Sequence, residues 1–240
     1  MAVLGRDDES LAPRARALAQ VAATLTAEPW ALTREAVQGL GRQGIDEEQT
    51  EAAVGVISMF NYFTRVADAT GIEFDYLTPL PAFEPDLRQV TLPRPGRSVS
   101  SRPDAGPRPR PRHQQLRMAW ESWRAYVLEA DEPLSRRERR LLASAAAEEA
   151  ADWEGAESLS ELKSAEGSSE EGSSAEGSDD VLAGFARKLS RQPWQMEAGD
   201  LERLRAAGYS EEAVLHAISV VAHQNADSRL VAGLRAAGRT

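Results

Sequence analysis

The sequence contains no cysteine, and this absence excludes several kinds of chemistry. Disulfides, zinc–thiolate sites and every reaction that needs a sulfur nucleophile are ruled out. The chain also lacks the run of about 18 apolar residues that a membrane span requires. Its first ten residues hold no apolar signal-peptide core. We therefore expect a cytoplasmic protein without a membrane partner.

Strand patterns are missing as well. Alternating runs of β-branched or aromatic residues are nearly absent, whereas apolar residues recur at helical spacing. A hydrophobic content of 42% is enough to build a core in a chain of 240 residues. The sequence therefore predicts an all-α fold.

Acidic residues are concentrated in one part of the chain. Residues 148–180 carry twelve carboxylates and one lysine, so the net charge of −10 leaves about +1 for the remainder. The acidity therefore belongs to one segment, and it does not indicate a field that steers charged substrates.

An ungapped internal repeat relates Leu25–Arg65 to Leu189–Arg229, 164 positions later. Eleven of the 41 aligned positions are identical, and hydrophobic replacements fall at matching places. We therefore predict a duplicated helical unit with one local fold, arranged as paired half-domains and not as a solenoid. The identical pairs are Leu25/Leu189, Pro29/Pro193, Trp30/Trp194, Leu40/Leu204, Gly44/Gly208, Glu47/Glu211, Glu48/Glu212, Ala53/Ala217, Val56/Val220, Asn61/Asn225 and Arg65/Arg229.

The sequence of each copy predicts a helix, a break at a proline and two further helices. Ser10 is the expected N-cap of the first helix, and Trp30 and Trp194, which follow the two breaks, are expected to plug the core. The later helices are predicted over 34–43 and 46–71 in the first copy, and the three helices of the second copy over 180–190, 198–207 and 211–237.

These elements divide the chain into five parts. Helical half-units are predicted at 1–83 and 180–240, and a helical entry region at 113–155. A Pro/Arg-rich linker is predicted at 84–112 and an acidic Ser/Gly/Glu linker at 156–179. Both linkers are expected to be disordered, because they contain too little apolar surface to order themselves, and their opposite charges suggest transient contact.

The end of the first copy reads MFNYFTRVADATGIEF, and the middle block reads AWESWRAYVLEADEPLSRRERRLLASAAAEEAADW. The first run resembles the closing helix of the alkyl hydroperoxidase D-like, carboxymuconolactone decarboxylase-like superfamily, in its peroxidase-related branch. The second is similar to the region that leads into that superfamily's catalytic helix. The resemblance implies that the middle block and the second copy form one complete unit of this type, and that the first copy is the closing half of another unit.

The sequence departs from the superfamily at the catalytic positions. Active members carry a Cys-x-x-Cys pair, a histidine four residues beyond it and a glutamate about three turns before it. Aligned on Leu134–Arg137, the cysteines fall on Asp152 and Gly155, the histidine on Leu159 and the glutamate on Arg140. The resemblance therefore implies a degenerate member without thiol peroxidase chemistry.

Two histidines lie seven residues apart on the last predicted helix, His216 and His223. With an acidic partner they could act as acid and base, but seven residues exceed the i, i+4 spacing of the usual helical metal clip. A structural role on a partly exposed helix is favoured. No metal and no other cofactor is expected.

One polar pair is present in both copies, as Asn61 with Arg65 and as Asn225 with Arg229. Its i, i+4 spacing on an apolar helix directs both side chains one way, so each arginine needs a carboxylate or carbonyl partner. We expect a structural hydrogen-bond network, with a cavity-lining or substrate-orienting role as the alternative.

The leading interpretation is a non-catalytic protein that acts as a scaffold, in a homo-oligomer or with a protein partner. The alternative is a decarboxylase-like acid–base enzyme acting on a small organic acid, with His223, Asn225 and Arg229 as candidate site residues. Retained peroxidase activity would need an external thiol or a bound metal. Nucleic-acid binding by the arginine-rich linker is not expected, because the linker lacks interleaved aromatics and the acidic segment competes with phosphate.

Overall fold

The computed structural model describes residues 11–72, 92–93, 95, 108–166 and 175–239. Within these ranges the chain is all-helical and contains no strand, as the sequence predicts. A short 3₁₀ turn follows the first helix of each copy, at Pro29–Ala31 and at Pro193–Gln195. The helices are α1 (Pro13–Ala27), α2 (Arg34–Arg42), α3 (Glu47–Thr70), α4 (Gln114–Glu129), α5 (Arg136–Glu149), α6 (Trp153–Glu166), α7 (Ala175–Arg191), α8 (Ala198–Ala206) and α9 (Glu211–Ala236).

Local sequence signals explain where α3 and α5 begin. Asp46 and Gln49 form a capping box at the start of α3, and Ser135 and Glu138 form one at the start of α5. Gly71 ends α3 at φ 65°, a left-handed conformation that glycine adopts without a steric penalty. The predicted starts of these two helices are confirmed.

Three local predictions need correction. The first described helix begins at Pro13 with Ala12 as its N-cap, while Ser10 lies outside the described residues. Trp30 and Trp194 are half-buried and do not plug the core; the proline that precedes each of them is the buried residue of its 3₁₀ turn.

The acidic segment is helical over part of its length, contrary to the predicted linker. Helix α6 continues to Glu166, and α7 already begins at Ala175. Ala156 and Leu159 are buried against the rest of the protein and hold the first turns of α6 in place. Because this segment is so rich in charged residues, its sequence does not indicate that Ala156 and Leu159 are buried.

Several elements of the two repeat copies have matching bounds. Helices α2 and α8, and the two 3₁₀ turns, are related by the 164-residue offset at both ends, and α3 and α9 begin at Glu47 and Glu211. Positions 164 apart are called equivalent below. A common origin of the two copies stays a prediction.

Helices α3 and α9 pack against each other at the centre of the described fold. Gly233 allows this close approach, because a Cβ added there would lie 2.5 Å from Cγ1 of Val54. Helix α5 packs on another face of α9, between α6 and α7, while α4 contacts both α5 and α9. None of the described helices is both long enough and apolar enough to cross a bilayer.

Candidate functional site

The repeated Asn–Arg pairs join the two copies through reciprocal hydrogen bonds. Arg65 donates from Nη2 to the carbonyl oxygen of Ser190 at 2.9 Å, and Arg229 donates from Nη2 to the carbonyl oxygen of Thr26 at 2.8 Å. Thr26 and Ser190 are themselves equivalent positions, so each copy's arginine binds the other copy. Each Nη1 also donates to the asparagine Oδ1 four residues earlier in its own helix, at 2.9 Å.

Neither of these buried arginines has a carboxylate among its hydrogen-bond partners, as far as the described residues extend. Burial lowers the pKa of Arg65 to about 10, and it also lowers the pKa of Arg229, with the Arg65 charge adding to the effect. The carbonyls that accept their hydrogen bonds belong to the last turns of α1 and α7, where the helix dipole is negative. Asn61, Arg65, Asn225 and Arg229 therefore form a docking network that leaves no exposed functional group.

A second buried polar cluster centres on Arg108, which comes from the predicted linker. Arg108 donates to both carboxylate oxygens of Asp152, at 2.9 and 2.7 Å, and to Oδ2 of Asp227 at 2.7 Å. Trp120 donates from Nε1 to the other oxygen of Asp227 at 2.8 Å. Ser228 donates to Asp152 at 2.7 Å, so α4, α9 and the α5–α6 junction meet at this cluster.

The charges of this cluster are mutually compensated. Burial alone would raise the pKa of Asp227, but the Arg108 guanidinium lowers it to about 2. The pKa of Asp152 is also lowered, because Arg108 outweighs the opposing effect of burial. Burial would lower the pKa of Arg108, yet the two carboxylates raise it. All three groups are therefore ionised at neutral pH and are poor candidates for proton transfer.

His223 lies in the core, contrary to the partly exposed position expected for it. It has no solvent-exposed surface, and its ring contacts Trp123 edge-on with a centroid distance of 4.5 Å. Neither ring nitrogen has a hydrogen-bond partner among the described residues. Burial lowers its pKa to about 4, although the Asp227 carboxylate acts in the opposite direction. His223 is therefore neutral at physiological pH.

The remaining predicted residues are dispersed and do not converge on one site. His216 is half-buried, with its Nδ1 3.0 Å from Nη2 of Arg139. Among the described residues, no group of three or more His, Asp or Glu side chains could hold a metal ion. Of four cavities on the described part of the chain, none is lined by both His223 and Arg229.

An apolar groove of about 560 Å³ lies between α3 and α4. Val56, Phe60 and Phe63 of α3 line it with 57%, 62% and 53% of their surfaces exposed. Its remaining lining residues are Ala52, Gly55, Met59, Leu116, Ala119, Trp120, Trp123 and Leu230.

The exposure of these three side chains contrasts with the burial of their counterparts in the second repeat copy. The positions of α9 equivalent to Val56, Phe60 and Phe63 hold Val220, Gln224 and Asp227, which are 0%, 1% and 3% exposed. The apolar side chains are thus exposed on α3, while the polar ones are buried on α9. Contiguous exposed apolar surface is a feature that interaction sites of folded proteins share.

Sequence reasoning missed the residues of both features. Arg108 lies in a segment whose proline and arginine content predicts disorder, and Asp227 lies on the last helix among charges that looked solvent-exposed. Val56, Phe60 and Phe63 recur at helical spacing, which predicts a stripe that faces the core and not an exposed groove. One signal was available, because the aromatic residues of the first copy are replaced by polar ones in the second.

The described residues define an all-α protein with a closed polar interior and an open apolar groove. No family model, curated protein or solved structure matches the chain. The superfamily resemblance therefore stays a prediction.

Proposed function

We propose that this protein acts by binding another protein, as a non-catalytic scaffold, and that the α3–α4 groove is its binding surface. The observation that carries this proposal is the exposure of Val56, Phe60 and Phe63 along one groove. Burying an aromatic or aliphatic side chain of this size contributes about 1.5–3 kcal/mol, so the groove could supply much of the free energy of a complex.

The buried polar groups support the same proposal, because they already bind other groups of the fold. Arg229 and Asn225 bind backbone and each other, and Asp227 is ion-paired with Arg108. His223 has a pKa of about 4 and reaches no solvent, so it is a weak base for a substrate proton. These features disfavour the decarboxylase-like alternative.

We also propose that the protein is a degenerate relative of the alkyl hydroperoxidase D-like superfamily. The positions that the resemblance aligns with the two cysteines, Asp152 and Gly155, lie at the junction of α5 and α6. There Asp152 accepts hydrogen bonds from the backbone nitrogen of Gly155 and from Arg108. In this proposal, an ion pair that stabilises the fold occupies the place of the redox pair.

Affinity capture with a matched pair of surface variants tests the function. Phe60→Glu places a charge in the groove, whereas Leu215→Glu places one on an equally exposed leucine of α9 outside it. The same protein should be captured by the wild type and by Leu215→Glu, and lost with Phe60→Glu. Capture that survives Phe60→Glu, or turnover of organic hydroperoxides by the purified protein, would refute the proposal.

A further inference from the structure

Helix α5 covers one face of α9 along about three turns. Near its beginning, Arg139 approaches Nδ1 of His216 at 3.0 Å. Just beyond its end, Asp152 accepts a hydrogen bond from Ser228 at 2.7 Å. These two contacts show that α5 runs in the same direction as α9 and packs along it from His216 to Ser228, beside α4, which contacts His223 and Asp227 of the same stretch.

The equivalent face of α3 runs from Ala52 to Thr64 and contains the exposed residues of the groove. No described helix lies on it in the way that α5 lies on α9. Helix α4 borders this face and forms the opposite wall of the groove, with Trp120 between the walls. The face of α3 therefore offers a position for a helix, and the equivalent position on α9 is occupied by α5.

We propose that this face of α3 binds an amphipathic helix of a different polypeptide, which lies along α3 from Ala52 to Thr64 as α5 lies along α9. This inference rests on the proposed protein-binding function and specifies its partner. The face spans thirteen residues, or about 18 Å of helix, which a partner helix of three to four turns would cover. Recognition of this kind uses apolar side chains one helical turn apart.

The groove residues define the chemistry of that helix. Where α9 has Gln224 and Asp227, α3 has Phe60 and Phe63, so a buried carboxylate on the partner would find no hydrogen bond here. A Cβ added at Gly55 would have no heavy atom of the described residues within 4 Å, so these residues leave the space above this glycine open. The partner's contact face is therefore apolar throughout, with small residues facing Phe60 and Phe63 and a larger one above Gly55.

Another molecule of the same protein fits this surface less well than a separate helix does. Its own α5 is already buried on its own α9, so that helix cannot bind a neighbour, and symmetric pairing would use the α3–α4 surface of both molecules. Symmetric pairing would then place one concave groove against another. A single convex helix fills a groove between two helices without leaving such a void.

A synthetic peptide of residues 135–150 of this chain is a suitable probe, because it carries the leucine and alanine side chains with which α5 packs. Its capping box and its alanines favour helix formation in isolation. Fluorescence anisotropy of the labelled peptide, titrated with the intact protein, should show saturable binding. A peptide of the same composition in scrambled order should bind at least tenfold more weakly.

Two substitutions at one position show whether the peptide occupies the groove. Gly55→Leu fills the open space above α3, whereas Gly55→Ala adds a single methyl group and preserves most of it. We expect Gly55→Leu to weaken binding at least tenfold and Gly55→Ala to change it less than threefold. Thermal melts of both variants report whether they remain folded. Absence of saturable binding, or equal affinity for both variants, would overturn the inference.

Sedimentation equilibrium of the intact protein separates this inference from the proposed function. A monomer across the micromolar range is expected. A dimer that Gly55→Leu dissociates would overturn the separate helical partner, but it would support protein binding by the groove. Failure of the Phe60→Glu capture experiment would instead remove the proposed function itself.

Discussion

Replacing His223 by methionine should make the protein less sensitive to mild acid. Methionine is the residue that the first copy has at the equivalent position, Met59, and its flexible side chain suits a packed site. The buried ring of His223 faces the Asp227 carboxylate on its own helix, the tryptophan rings of α4, and the guanidinium groups of Arg124 and Arg108. Burial is the largest influence on its pKa, which lies at about 4.

The size of the effect follows from proton linkage. In the unfolded chain a histidine has its ordinary pKa of 6.5, so it binds a proton as the pH falls below that value. In the folded protein His223 stays neutral until the pH approaches 4. The free energy of unfolding must therefore decrease between pH 6.5 and about 4. At about 1.4 kcal/mol for each pH unit, this decrease amounts to ~3 kcal/mol.

Urea unfolding followed by far-ultraviolet circular dichroism at pH 7.5 and pH 4.5 measures this decrease. The wild type should lose roughly 2–3 kcal/mol more than His223→Met between the two pH values. His216→Ala is the control, because it also removes a histidine in favour of the equivalent first-copy residue, Ala52, but at a half-buried position. Its effect should be smaller. Equal pH dependence of wild type and His223→Met would refute the assignment of His223 as a buried neutral base.

Further substitutions test the packing and the buried charges. Gly233→Ala should lower the free energy of unfolding by about 1–3 kcal/mol, because the new methyl group overlaps Val54; Gly55→Ala, in open space, should raise it by about 0.5–1 kcal/mol. Parallel urea titrations compare the two, and effects of the same sign would contradict the close approach of α3 and α9. Arg229→Met should cost about 2–4 kcal/mol by leaving buried carbonyl groups unpaired, and a thermal melt within 2 °C of the wild type would contradict this. The carboxylate of Asp227 stabilises the fold above pH 3.8, and this contribution is lost as the pH falls towards about 2. Asp227→Asn should therefore be less stable at neutral pH and show a flatter acid transition from pH 4 to 2.

Much of the secondary structure could be predicted because its signals are local. The capping boxes at Asp46 and Ser135, and the glycine that ends α3, act within one helical turn and depend on no distant contact. The formation of α6 could not be predicted, since its first turns depend on Leu159 packing against other helices within an acidic sequence. Local charge gave no indication of that packing.

The candidate sites were less predictable, because their contacts span the whole chain. The arginine pair was identified from the repeat, and its need for carbonyl partners followed from burial. Its partners Thr26 and Ser190 belong to opposite copies, however, and only the packing of α3 on α9 brings them within reach. Arg108 was missed because an arginine among prolines looks solvent-exposed, although two distant carboxylates hold it in the interior.

The two copies use one helical framework for opposite purposes. On α9, polar side chains are buried and satisfied, with Asp227 holding Arg108 and Trp120 in place. On α3, the equivalent face carries Phe60 and Phe63, whose apolar surfaces are exposed to water. This exposure is unfavourable in free energy, and the fold gains nothing from it. A helix that only needed to stabilise the fold would gain solubility from polar residues at these positions. The exposed phenylalanines are therefore best explained by an interaction that buries them, and the side of α3 that faces away from α9 is where that interaction should be sought.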